Sequence, residues 1–158
     1  MRLTFLLLFL AACSSSSGLI ETETIDCAES GNPVSVALYD AVVEPSPVSA
    51  TMTSEPAVTL HLEVANNSHE EIVVKRIIIR QSQPGARFQI NGSTGGFDET
   101  IPPGKEHVFE LHTTGHWTNA RSFSEDDVTT SVELEARVAL ENGTTYRCGF
   151  STPLLSSR

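Results

Sequence analysis

Beyond residue 33, apolar side chains recur at every second position over most of the chain. Val58, Leu60, Leu62 and Val64 alternate with Thr59, His61 and Glu63, and Val132, Leu134, Ala136, Val138 and Leu140 alternate with Glu133, Glu135 and Arg137. Successive side chains of a strand point to opposite faces, so this period of two predicts strands with one buried face and one wet face. Val34, Val36 and Leu38 repeat the pattern early, Phe109 and Leu111 in the middle, and Tyr146, Cys148 and Phe150 near the end. Ile72 to Arg80 is a denser β-branched run, suited to a central strand, whose register Lys75-Arg76 leaves open.

Turn chemistry separates these segments. Asn66-Asn67-Ser68, Gln83-Pro84-Gly85, Asn91-Gly92, Gly95-Gly96, Pro102-Pro103-Gly104 and Asn142-Gly143 all read as turns. Asn142-Gly143 lies between two alternating segments and predicts a tight hairpin joining the last two strands. About seven to eight strands at this spacing predict an all-β fold, a single antiparallel β-sandwich. Thr113 to Thr130 is the longest stretch without a strand pattern, and Ser124-Glu125-Asp126-Asp127 within it suits the cap of one helical turn.

Composition narrows the classes of function. The chain has 158 residues, enough for one domain, and 39% of them are hydrophobic, which suffices for an ordinary core. Twenty acidic against ten basic residues give a formal charge of −10. Nucleic acid requires clustered Lys and Arg to displace counterions, so this balance argues against a nucleic-acid partner.

The one strong apolar run lies at the N-terminus. Met1-Arg2 carries a positive charge, Leu3 to Leu10 are mostly large and apolar, and the small residues Ala11-Ala12 lead to Cys13. The run is shorter than the ~20 residues needed to cross a bilayer, and its three parts are those of a secretory signal. Leu10-Ala11-Ala12-Cys13 resembles the lipobox of bacterial lipoproteins, and Ser14-Ser15-Ser16-Ser17-Gly18 resembles their flexible tether. The resemblance implies that the Cys13 sulfur carries a diacylglycerol and that cleavage makes Cys13 the first mature residue. It implies residence in the cell envelope, lipid-anchored to a membrane, and Ser14 after the cysteine implies the outer membrane if the organism is Gram-negative. Several acyl chains at ~0.8 kcal/mol per buried CH₂ make such an anchor effectively permanent. The expected organisation is a signal at residues 1–12, lipidated cysteine and tether at 13–26, a β-sandwich at 27–152 and a tail at 153–158.

Three cysteines are present, and consumption of Cys13 by lipid leaves the pair Cys27 and Cys148. Outside the cytosol these are expected to form a disulfide that pins the first segment to the last strand. The order of strands around Val64-Ala65-Asn66-Asn67-Ser68 and Ile101-Pro102-Pro103-Gly104-Lys105 resembles the immunoglobulin-like domains of bacterial surface lipoproteins. The resemblance departs from the antibody pattern, whose bridge joins two central strands, and fold alone implies no activity.

Reactive constellations are few. His112 and His116 share a helix face only if that segment is helical, when they are candidates for one zinc ion. Glu125, Asp126 and Asp127 are weak candidates for a hard cation such as calcium. His61, His69 and His107 read as solvated. No Gly-x-Ser-x-Gly elbow or Ser-x-x-Lys motif starts a nucleophilic mechanism, so no catalytic residue and no cofactor is assigned. The expected function is that of a non-enzymatic, membrane-anchored envelope lipoprotein whose domain is an interaction or structural module, with a protein partner of unknown identity. A metal-binding accessory protein is the first alternative and a hydrolase the second.

Overall fold

Alternating strands bury their apolar faces only by pairing edge to edge and folding those faces together. A computed structural model describes residues 23–44, 55–82, 88–117 and 131–156. The described residues form nine strands: β1 (Glu23–Asp26), β2 (Val34–Val43), β3 (Ala57–Asn66), β4 (Ile72–Gln81), β5 (Phe88–Ile90), β6 (Ser93–Ile101), β7 (Glu106–Trp117), β8 (Ser131–Leu140) and β9 (Thr144–Ser156). No helix occurs among these residues, so the all-β class is observed.

The strands form one sheet in the order β5-β7-β3-β2-β9-β8-β4-β6, with β1 added beside β9. Most pairs are antiparallel, but β1 and the end of β2 both run parallel to β9. The sheet is therefore mixed. Six strands separate β5 from β6 in the sheet, yet only Asn91 and Gly92 separate them in the chain. The sheet must curl until its two ends meet. Side chains on the concave face form the core: Val58, Leu60, Leu62 and Val64 of β3 lie opposite the β8 row from Val132 to Leu140.

No continuous backbone ladder closes the meeting line between β6 and β7. Side chains bridge it: Ser93 Oγ donates to the His112 carbonyl at 3.2 Å, and the Phe97 and Phe109 rings meet edge to face at 4.8 Å. His107 Nδ1 lies 3.2 Å from Glu99 Oε1 and its ring leans on Phe109, so His107 is half-buried rather than freely solvated. At the far end, the Gln81 amide acts as a substitute strand. Its Nε2 donates to the Phe88 carbonyl at 3.2 Å and its Oε1 accepts from the Ile90 N–H at 2.8 Å.

Several expectations are corrected. Gly95-Gly96 is not a turn but lies inside β6, paired with Ile77 and Arg76 of β4, and a Cβ at Gly95 would stand 2.6 Å from the Phe97 ring and 3.1 Å from Leu111 Cδ2. Asn91-Gly92, read as a turn, joins β5 to β6, the two end strands of the sheet. Thr113 to Trp117 continues β7, where Gly115 admits the buried Phe88 ring of β5 against its backbone. Pairing also extends the domain at both ends. Glu23–Asp26 is a strand rather than tether, and β9 runs to Ser156 rather than yielding a tail from residue 153. Against β8, Lys75 is the extra residue of a β-bulge between Val74 and Arg76, and against β6 it faces two residues, Phe97 and Asp98, the reason no single register ran through it. Gln83-Pro84-Gly85 and the expected helical turn at Ser124–Asp127 lie outside the described residues.

Asn66 does far more than open a turn. It is fully buried at the end of β3, where its Nδ2 donates to the carbonyls of Glu70 (2.8 Å) and Ile101 (2.9 Å). Its Oδ1 accepts from Ser68 N–H (3.0 Å) and Ser68 Oγ (2.7 Å), and its backbone bonds to Lys105 and Gly104. One side chain thus joins the β3–β4 and β6–β7 turns. Cys27 and Cys148 stand at disulfide distance, with Cα atoms 5.0 Å apart across 121 residues of chain.

Two stability outcomes follow. Asn66→Ala strands several buried polar groups and is expected to lower unfolding free energy by about 2–4 kcal/mol in urea titration, against under about 0.5 for Asn67→Ala. A loss below about 1 kcal/mol at Asn66 contradicts its structural role. Removing the Cys27–Cys148 link by paired serine substitution is expected to lower stability by about 4–5 kcal/mol, the loop-closure value for so long a loop. Equal denaturation midpoints for the native chain with and without reductant show that no bond forms.

Candidate functional site

The two histidines considered for zinc sit four positions apart on a strand, not on a helix. Both are on β7, His112 opposite Thr59 and His116 opposite Gln89, so their Cα atoms are about 13 Å apart at ~3.3 Å per residue. One ion cannot bridge them. Glu125, Asp126 and Asp127 lie outside the described residues. Among the described residues no group of three or more His, Cys, Asp or Glu side chains is placed to share a metal.

His112 belongs to a different arrangement. Its Nε2 lies 3.1 Å from Glu110 Oε1 and its Nδ1 lies 3.3 Å from Thr59 Oγ1. Carboxylate, imidazole and hydroxyl in that order form the chain that activates a nucleophile. Here, however, the His112 side chain is 70% exposed and that of Glu110 56% exposed, on the convex face of β3 and β7. Water competes for every one of these contacts. His61, on the same face, pairs with Asp40 at 2.6 Å. Tyr39 donates to Glu63 nearby, which raises its pKa.

A more enclosed constellation lies around β9. Beside β1 and β2 the backbone of β9 is paired in two places only. β1 covers Thr144 to Arg147, and β2 covers Leu154 to Ser156. Between these points β9 advances from Arg147 to Leu154, seven residues, whereas the chain beside it advances from Asp26 to Ala41, fifteen. The excess chain swings away from β9, leaving an opening that the Cys27–Cys148 link bounds at one end. The opening holds a cleft of about 490 Å³, with Val36, Leu134 and Phe150 on its apolar wall and Asp26, Glu135 and Arg147 on its polar wall.

The polar wall is ordered by one carboxylate. Glu135 Oε1 accepts from Arg137 Nε at 2.9 Å, and Glu135 Oε2 accepts from Arg147 Nε at 3.0 Å. The bond from Arg137, reinforced by the charge of Arg147, holds the Glu135 pKa below its ordinary value against a smaller desolvation effect. Arg80 stands opposite Glu135 on β4, and Arg76, Arg80, Arg137 and Arg147 all project from the convex face of β4, β8 and β9. The facing β2–β3–β7 surface carries Asp40, Glu63, Glu106 and Glu110 with no Lys or Arg on its strands. A chain of strong net negative charge thus gathers its described arginines on one side.

Alternation in β8 and β9 placed Glu135, Arg137 and Arg147 on wet faces, but not beside one another. Their meeting depends on strand register, which residue period alone does not supply. A signal was nevertheless present: Pro153, inside a run that otherwise reads as strand, marks backbone that lacks a ladder partner.

No family model matches the chain, and no curated protein matches it. Among solved structures it is similar to a structural-genomics target designated SoR45, at 12% identity over 77% of this chain and 86% of that one, with a TM-score of 0.47. It is similar to a FixG-related protein from Vibrio parahaemolyticus at 12% identity, over 77% of this chain and 96% of that one, with a TM-score of 0.36. A Bordetella pertussis protein designated ApaA gives 9% identity over 77% of this chain and 93% of that one, with a TM-score of 0.41.

Proposed function

We propose that this protein is an envelope lipoprotein, anchored to a membrane through lipid on Cys13, whose β domain holds a protein partner rather than catalysing a reaction. The observation that carries the reading is the sequence Leu10-Ala11-Ala12-Cys13 at the small-residue exit of a short apolar leader, followed by four serines. Lipid at Cys13 also accounts for the cysteine count, since the other two cysteines face each other at bonding distance. We read the curled sheet as a distorted immunoglobulin-like sandwich, with β2, β3 and β7 in one layer and β8, β4 and β6 in the other. β9 passes between the layers, pairing with β8 along most of its length and with β2 at its end. Such a body on a serine tether suits a binding role, because sheet edges and loop ends accept partners without reactive groups.

Mass spectrometry of protein extracted from membranes tests the anchor. The expected N-terminal peptide begins at Cys13 and carries a diacylglycerol, and Cys13→Ser is expected to remain an uncleaved precursor. An unmodified Cys13, or a serine variant processed and retained in membranes like the native chain, overturns the reading.

A further inference from the structure

We infer that the opening beside β9 receives an extended segment of a partner protein, which pairs with the β9 backbone and sets an acidic side chain against the arginines oriented by Glu135. This rests on the reading of the domain as a protein-binding module, and it gives that module a place and a chemistry.

The backbone comes first. The Cys27 N–H donates to the Arg147 carbonyl, so Arg147 directs its peptide groups away from β8 and toward the β1 side. Strand alternation gives Gly149 and Ser151 the same direction. Their N–H and C=O groups open onto the stretch that neither β1 nor β2 covers, and both residues are exposed. The next residue facing that way is Pro153, which has no N–H, so pairing ends there. The available edge is short. It fits a segment of about four or five residues, as in strand addition to other sheet edges.

The side chains select the partner. Both bonds to Glu135 use the Nε atoms of Arg137 and Arg147, so neither terminal Nη pair is spent on that carboxylate. Guanidinium groups held in this way match the two oxygens of an incoming carboxylate. Gly149 lies directly opposite Glu135, and nothing stands within 4 Å of the place its Cβ would take. The missing side chain leaves a clear path from the β9 edge across the sheet to the arginines. An apolar neighbour on the incoming segment enters the cleft against Val36 and Phe150. The occupant is therefore an extended stretch that alternates aliphatic residues with Asp or Glu.

The chain from residue 13 onward, with Cys13→Ser so that no lipid is needed, contains every described core residue and suits a solution test. Two capped pentapeptides serve as probes, Thr-Val-Glu-Val-Thr and Thr-Val-Lys-Val-Thr, followed through backbone amide resonances. The acidic peptide is expected to shift the Gly149 and Ser151 amides and to bind about tenfold more tightly than the lysine peptide. Arg147→Gln is expected to reduce that preference to under about threefold. Gly149→Val fills open space on a strand, so it is expected to keep the native melting temperature while abolishing the shifts. Equal binding of the two peptides overturns the inference, as does their absence from Gly149 and Ser151 at millimolar concentration. Shifts confined to another edge overturn the site while leaving the binding-module reading intact.

Discussion

Two-sided hydrogen bonding by β9 is the constraint on which the rest of the molecule depends. Over thirteen residues this strand pairs with β8 on one side and with β1 and then β2 on the other. Among the described residues, backbone pairing joins β2, β3 and β7 to β8, β4 and β6 through β9. Its inward residues Tyr146, Cys148 and Leu154 join the same core as Leu60 and Leu62 of β3 and Ala136 and Val138 of β8. Cys148 sits near the centre of this strand, so the link to Cys27 fastens the arrival of the chain to its most connected element.

Curling the sheet creates a difficulty at its ends, where β6 meets β7 without a ladder. Unpaired edges are costly when buried and attract other strands when exposed. The solution is a mixed one. Gln81 supplies a side-chain amide where a neighbouring strand would have supplied a peptide, and Phe97, Phe109, Ser93 and the His107–Glu99 pair cover the remainder. Gly95 and Gly115 are small for the same reason, since each lets an aromatic ring lie against backbone at the seam.

The opening beside β9 is the contrasting case. There an edge is left accessible, flanked by ordered arginines on a chain whose overall charge is of the opposite sign. Local charge, not net charge, decides what approaches within a Debye length of about 8 Å at physiological salt. The acidic side chains Asp40, Glu63, Glu106 and Glu110 belong to β2, β3 and β7, whereas Arg76, Arg80, Arg137 and Arg147 belong to β4, β8 and β9.

The amino-acid sequence by itself determined the class of the fold, most strand positions and which face of each strand is buried. Periodicity and turn chemistry are local, and Asn142-Gly143 and Pro102-Pro103-Gly104 act through backbone preferences that hold in any context; Gly143 and Gly104 indeed adopt positive φ. Tertiary structure alone decided the order of strands, the parallel pairing of β1 and β2 with β9, and the inclusion of Gly95-Gly96 and Thr113–Trp117 in strands. It also turned Asn66 from a turn residue into a buried junction, set His112 and His116 apart, and gathered Arg137, Glu135 and Arg147. The physical reason is common to all of these. Each depends on which residues distant in the chain become neighbours, and that is settled by the joint burial of apolar faces and the pairing of edges, not by the preferences of any single segment.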